Sequence, residues 1–205
     1  VGTVGKPIAN VTVKIEDDGE ILVKGPNVMM GYYKDPKKTA EVMSGDYFHT
    51  GDKGEIDKEG FLKITGRKKE IFKTSGGKYI SPTLLENEMK QSRFIEQILV
   101  IGEGQKMPAA ILQPNFEFVK EWGRRHNVDC GKTPEEIATN NAVKDRIMEE
   151  IEIGNQHFGK WEMIKRIKMT PEVWSVDNNL LTPTFKPKRE MILQKYKHLY
   201  TEIYG

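Results

Sequence analysis

Val11, Val13 and Ile15 alternate with polar neighbours, and after the Asp-Asp-Gly break at residues 17–19 the alternation resumes over residues 21–23. A period of two on both sides of a turn predicts a β-hairpin. An apolar stretch follows Gly25 and Pro26 and runs through Met30 to Gly31. Asp35 before Pro36 then marks a helix start leading into residues 39–43. Residues 54–57, a Lys-Glu-Gly turn and residues 61–65 predict a second hairpin. From Gly66 the pattern changes. Ser81 and Pro82 open an amphipathic helix carrying Leu84, Leu85, Glu88 and Met89 on one face. Residues 98–101 and 109–112 predict strands joined by a glycine-containing turn. Residues 117–126 and 134–151 predict helices, the latter opened by Thr133 and Glu136 at capping-box spacing. A further helix is expected over residues 155–164 and a strand over 166–169. The pattern is that of an α+β chain in two parts, residues 1–65 rich in strand and residues 66–205 mixed.

Composition narrows the classes. The apolar share of 37%, with 19 glycines added, is that of an ordinary globular chain, so disorder is not the default. Thirty-two basic and thirty acidic residues nearly cancel, which leaves no long-range field to steer the whole chain onto nucleic acid. The single cysteine, Cys130, forms no internal disulfide and fits a reducing, cytoplasmic compartment. No apolar run approaches the roughly 20 residues of a membrane span. The opening VGTVGKP, without an initiating methionine, reads as a piece of something longer.

Three stretches carry candidate chemistry. Asp52 ends the HTGD sequence, and a short carboxylate held at a glycine turn either accepts hydrogen bonds from the two vicinal hydroxyls of a ribose or simply caps the turn. In GRKKE, with Gly66 at a bend, Arg67 offers a planar fork to phosphate or ribose oxygens while Lys68 and Lys69 remain in solvent; a solvated charged turn is the alternative. KTSGGKYISP lacks the phosphate-loop spacing, and its Gly76 and Gly77 serve either a close backbone approach to a ligand or a plain hairpin turn. Near the end, LLTPTFKPKRE holds Lys186 on a proline-stiffened, non-helical segment, where its charge could stabilise a transferring phosphoryl group or belong to a surface basic patch.

Taken in order, GTVGKP, GYYKDP, YFHTGD, GRKKE, SGGKYISP with LLEN, and LLTPTFKPKRE resemble the successive signatures of the adenylate-forming superfamily, specifically the long-chain fatty acyl-CoA synthetases. The resemblance implies a C-terminal portion of such an enzyme: the β-rich end of the large AMP-binding domain, then a mobile mixed α/β lid. It implies Asp52 as the ribose ligand, Arg67 as a nucleotide contact and Lys69 as the hinge. Gly76, Gly77 and Lys78 would form the loop facing the thioester-forming site, and Lys186 would be the lysine that assists adenylation. The tail departs from the family's usual Gly-Lys pair, with Phe185 before the lysine, so Lys188 is a rival and Lys73 a third lysine to weigh. Fatty acid, ATP and CoA are the implied substrates, with Mg2+ held by ligands outside these residues. The phosphate loop and acyl tunnel of the family would precede the chain, so the portion alone is expected to be inactive. Rival readings are a non-catalytic nucleotide-binding or interaction module, and a luciferase-like or peptide-synthetase adenylating enzyme. Peripheral membrane docking through Lys165, Arg166, Lys168 and the basic residues of 186–197 is a further reading.

Overall fold

In the computed structural model, which describes residues 2–205, the first alternation becomes strand β1 (Thr12–Ile15), paired antiparallel with β2 (Glu20–Lys24). The chain divides into two compact units, one ending at Ile71 and one spanning Phe72–Gly205. In the first unit Asp35 accepts the Lys38 N–H at 2.9 Å and starts helix α1 (Pro36–Val42), as the Asp-Pro pair predicts. Strand β3 (Met43–Ser44) follows, then β4 (Tyr47–Ile56) and β5 (Leu62–Arg67). One edge of β4 pairs with β2; β3 and β5 share the other.

The HTGD segment is not a turn between strands but lies inside β4. Its glycine does impose a local break. From Glu20 to Leu22 in β2 the partner positions run from Lys53 back to His49 in β4, so β4 carries surplus residues at this point and bulges. Gly51 takes a φ of +71°, a backbone state that glycine adopts without steric cost. A bulge bends its strand and re-aims side chains, which is what sets the direction of Asp52.

One buried carboxylate holds the bulge. Glu20 is 4% exposed; its Oε1 accepts the Gly51 N–H at 3.0 Å and its Oε2 accepts from Lys68 Nζ at 2.7 Å. His49 Nδ1 lies 3.1 Å from Oε2, and against an acceptor-only carboxylate that nitrogen carries the proton. Lys68 also pairs with Asp18 at 2.7 Å, and its backbone N–H reaches the Gly51 carbonyl at 2.8 Å. Lys68 is therefore no idle solvated charge, contrary to the sequence reading. Its ammonium is held well above the usual lysine range by Asp18 and then Glu20.

The second unit is built on a three-stranded sheet in the order β10 (Ile167–Met169), β9 (Ala109–Pro114), β8 (Ile95–Ile101), with β10 parallel and β8 antiparallel to β9. Both faces are covered, so β8 and β9 are apolar at successive positions rather than alternating. Ile98, Val100, Ala110 and Leu112 face a core with α2 (Pro82–Met89) and α5 (Asn141–Asn155). Leu99, Ile101, Ala109 and Ile111 face another, formed with Trp174, Leu180, Leu181 and the closing helices α6 (Arg189–Lys195) and α7 (Lys197–Tyr204). Helix α3 (Phe116–His126) agrees with the predicted 117–126. The predicted helix 134–151 is two: α4 (Pro134–Thr139), opened by the Thr133–Glu136 capping box, and α5. They part at Asn140, whose extended backbone and side chain cap Val143 of the next helix at 3.2 Å. The helix expected over 155–164 is absent. The buried Asn155 side chain instead bonds both the N–H and the carbonyl of Ile164, at 2.9 and 3.0 Å, closing those residues into a loop.

Removing the Glu20 carboxylate deletes the charge-assisted hydrogen bonds it accepts from the Gly51 N–H and from Lys68, bonds worth about 1.5–3 kcal/mol. Glu20→Ala is expected to lower the protection of the Gly51 and Lys68 amides in hydrogen exchange by that amount, with β8 and β9 unaffected. Burial pushes the Glu20 carboxyl up, but Lys68, His49 and the Gly51 N–H together hold it below the ordinary 4.5. A depressed folded value means stability present above pH 4.5 and lost as pH falls through the folded value. Protection of these amides should therefore drop on acidification below that point, and Glu20→Gln should flatten the profile.

Candidate functional site

Asp52 and Arg67, far apart in the motifs that carry them, are direct cross-strand partners of β4 and β5. Arg67 Nε donates to Asp52 Oδ1 at 2.9 Å, with the carboxylate side chain 26% exposed and the guanidinium 49%. Thr50 orients the approach: its hydroxyl donates to the Ile21 carbonyl at 2.7 Å and accepts the Asp52 N–H at 3.1 Å. An ion pair this open to water contributes about 0–1 kcal/mol. It holds two complementary hydrogen-bonding groups in place without committing them. A carboxylate has acceptor sites for more than one donor, so hydroxyls can bond Asp52 while Arg67 stays. Lys69 is exposed in the turn after β5, just before the division between the units.

In the second unit Gly76, Gly77 and Lys78 lie between β6 (Phe72–Lys73) and β7 (Tyr79–Ile80), an antiparallel pair. The segment thus forms a hairpin. Thr74, nearly buried, organises it: its N–H donates to the Lys78 carbonyl at 2.9 Å, and its carbonyl accepts from Gly77 at 2.9 Å. Gly77 has φ +78° and nothing within 4 Å of where a Cβ would sit, so glycine is needed there for backbone conformation, and space remains above the loop. Gln105 and Gly104 bond the hairpin from the β8–β9 turn, through Ser75 at 2.9 Å and Lys73 at 2.8 Å. Lys78 Nζ stands 5.2 Å from the Trp161 ring and Lys73 Nζ 4.8 Å from that of Tyr79.

Lys186 occupies a separate loop of the same unit. Thr182 and Lys186 close it: the Thr182 N–H reaches the Lys186 carbonyl at 2.8 Å, and the Lys186 N–H reaches Thr182 Oγ1 at 3.1 Å. An isolated bridge joins Leu181 to Pro187. The base is anchored by buried Leu180 and Leu181 and by Arg189, which bonds the Val100 carbonyl at 2.6 Å and Glu86 at 2.7 Å. Lys188 is tied to Asn179 through its ammonium and to Leu180 through its N–H. Lys186 is exposed, and its ammonium meets no partner among the described residues. Between Thr184 and Lys186, Phe185 adopts φ +59° and is 69% exposed. That left-handed state costs a residue with a Cβ about 1–2 kcal/mol.

Two of the basic residues considered for membrane docking are engaged within the unit: Arg166 bonds the Ile203 carbonyl at 2.6 Å and Lys168 pairs with Glu202. No helix among the described residues is long and apolar enough to cross a membrane. Among the described residues no three His, Cys, Asp or Glu side chains gather as metal ligands. Glu20 and Thr182 escaped the sequence reading. A glutamate directly after an Asp-Asp-Gly turn reads as solvated, and only its strand partner reveals that it points inward.

Residues 69–205 match the model of the AMP-binding enzyme C-terminal domain. Over its whole length the chain is 34% identical to the long-chain-fatty-acid–CoA ligase FadD15 of Mycobacterium tuberculosis, covering 34% of that protein. It is 38% identical to the human long-chain-fatty-acid–CoA ligase 1, covering all of this chain and 31% of the ligase. The chain thus spans about a third of the length of these curated relatives. Among solved structures, the adenylation domain of carboxylic acid reductase from Segniliparus rugosus, in complex with AMP and a carboxylic acid, shares the fold with a TM-score of 0.75 over 97% of this chain and 32% of that one, at 20% identity. With residues 69–205 matched by that family's model, the chain belongs to the AMP-binding enzyme family.

Proposed function

We propose that the chain is the C-terminal portion of an ATP-dependent long-chain fatty acid–CoA ligase. The full-length similarity to curated ligases of that class carries the substrate assignment. Both relatives named above are ligases, and no observation favours a non-catalytic module. In the proposed reaction a fatty acid carboxylate attacks the α-phosphate of ATP, releasing pyrophosphate and forming acyl-AMP. The CoA thiolate then displaces AMP.

The residues divide this work by unit. The first unit, ending at Ile71, forms the end of the large domain, and the second forms the lid. Asp52 accepts the ribose hydroxyls, and Arg67 keeps the carboxylate aimed while contacting the nucleotide. Lys186 brings a positive charge to the α-phosphate as negative charge develops there, an electrostatic role with no proton transfer. Its freedom from internal partners, against the bonded Lys188, supports choosing it over its rival. Gly76, Gly77 and Lys78 take the CoA side of the second step, and Lys69 is the pivot that exchanges one loop for the other. Mg2+ accompanies ATP, with its ligands outside these residues.

In the complete polypeptide, Lys186→Ala should slow fatty-acid-dependent ATP–pyrophosphate exchange by roughly 100-fold or more, as loss of one oxyanion-stabilising donor does. Thiolysis of supplied acyl-AMP should be spared, and Lys188→Ala should leave the exchange within a few-fold of normal. Equal damage to both half-reactions in Lys186→Ala would refute the assignment. Asp52→Asn removes charge-assisted bonds worth about 1.5–3 kcal/mol. It should therefore weaken AMP binding by about 10- to 150-fold in calorimetry, with the second unit's stability unchanged. The 205-residue chain by itself should show no exchange activity with palmitate.

A further inference from the structure

We propose that Phe185 is a positioning residue that seats the Lys186 loop on an apolar surface of the longer polypeptide during acyl-adenylate formation. The inference rests on the role given to Lys186 above. Phe185 is unfavourable in two ways within its own unit. Its backbone sits at φ +59°, where glycine would be at ease, and its ring is 69% exposed. The tight turn sets the left-handed φ at this position, but it does not call for an exposed aromatic ring there. The turn is closed by backbone bonds and by the Thr182 hydroxyl, with the Phe185 N–H donating to the Thr182 carbonyl at 2.8 Å, so no bond in it requires an aromatic side chain.

Strain and exposure kept together at one residue point to a state in which the side chain is used. Pro183 and Thr184, its exposed neighbours, are smaller, which leaves Phe185 as the large apolar group at the tip beside the cation. The attraction of an ammonium for a phosphate is long-ranged and weakly directional, whereas a ring entering an apolar recess fixes where the loop stops. The curated relative FadD15 has about two thirds of its length outside the region this chain covers, and the corresponding part of this protein's own complete polypeptide is the occupant proposed.

The test uses the complete polypeptide with Phe185→Gly, Phe185→Ala, Phe185→Leu and, as reference, Lys186→Ala. Phe185→Gly suits the backbone and should fold with equal or greater amide protection in the loop. Phe185→Gly and Phe185→Ala should lower kcat for ATP–pyrophosphate exchange at least tenfold with KM for ATP unchanged. Thiolysis of supplied acyl-AMP should be spared, and Phe185→Leu should recover most of the loss. Unchanged or faster exchange in Phe185→Gly would overturn the proposal. A higher KM for ATP at constant kcat would also overturn it, by placing the ring on the nucleotide. If Lys186→Ala leaves exchange intact, the reading of the lysine fails and this inference with it. If Lys186→Ala abolishes exchange and the Phe185 variants do nothing, only the positioning role falls.

Discussion

The geometry of the first unit depends on the burial of one charge. Glu20, closed off from water, must satisfy its oxygens within the protein, and the donors that satisfy it are the Gly51 N–H, His49 and Lys68. Those groups belong to three places: the bulge of β4, the strand residue before it, and the first residue past β5. An unpaired buried carboxylate is expensive enough that the three cannot drift independently. Asp52 and Arg67 are the residues adjoining Gly51 and Lys68, so fixing the one pair fixes the other. The exposed ion pair contributes little energy itself. Its precision is borrowed from the buried one behind it.

The second unit solves a different problem, holding exposed loops steady over a covered sheet. The hairpin of Gly76 and Gly77 is fastened through Thr74 and the β8–β9 turn, and the Lys186 loop through Leu180, Leu181 and Arg189. In both cases buried residues, Thr74 in one and Leu180 with Leu181 in the other, lie at the base, while the residues with candidate chemistry are exposed. Sites on loops are precise only when their supports are locked. Arg189 illustrates this, since it spends its guanidinium on Val100 and Glu86 rather than on a ligand.

What could be read from the sequence followed from periodicity and turn chemistry. The first hairpin, the Asp35 and Ser81 helix starts and the strands at Ile98 and Ala109 all announce themselves locally. Gly51 was legible as a break but not as a bulge, because only the count of residues on the neighbouring strand distinguishes the two. The division of 134–151 at Asn140 was hidden by an apolar period that continues across it. The absent helix over 155–164 was hidden because a buried asparagine bonding nine residues ahead leaves no trace in composition. Helices α6 and α7, seven and eight residues long, are too short for a period of 3.6 to declare itself. Of the candidate site, residue identities were legible and pairings were not: that Arg67 faces Asp52, and that Lys188 is occupied where Lys186 is not, are facts of register and loop closure.

The same pairings bear on how one lid could serve two half-reactions. Lys68 is the last residue bound to the first unit by both its backbone and its side chain, and Phe72 is already buried in the second. Between them the Glu70 and Ile71 N–H groups both donate to the Arg67 carbonyl, at 3.0 and 3.1 Å, closing a turn onto the end of β5. Lys69, the pivot of the proposed cycle, is exposed in that turn and follows directly on Lys68, whose ammonium is held by the buried Glu20. The carboxylate that aims Asp52 thereby also fixes the residue at which that turn begins.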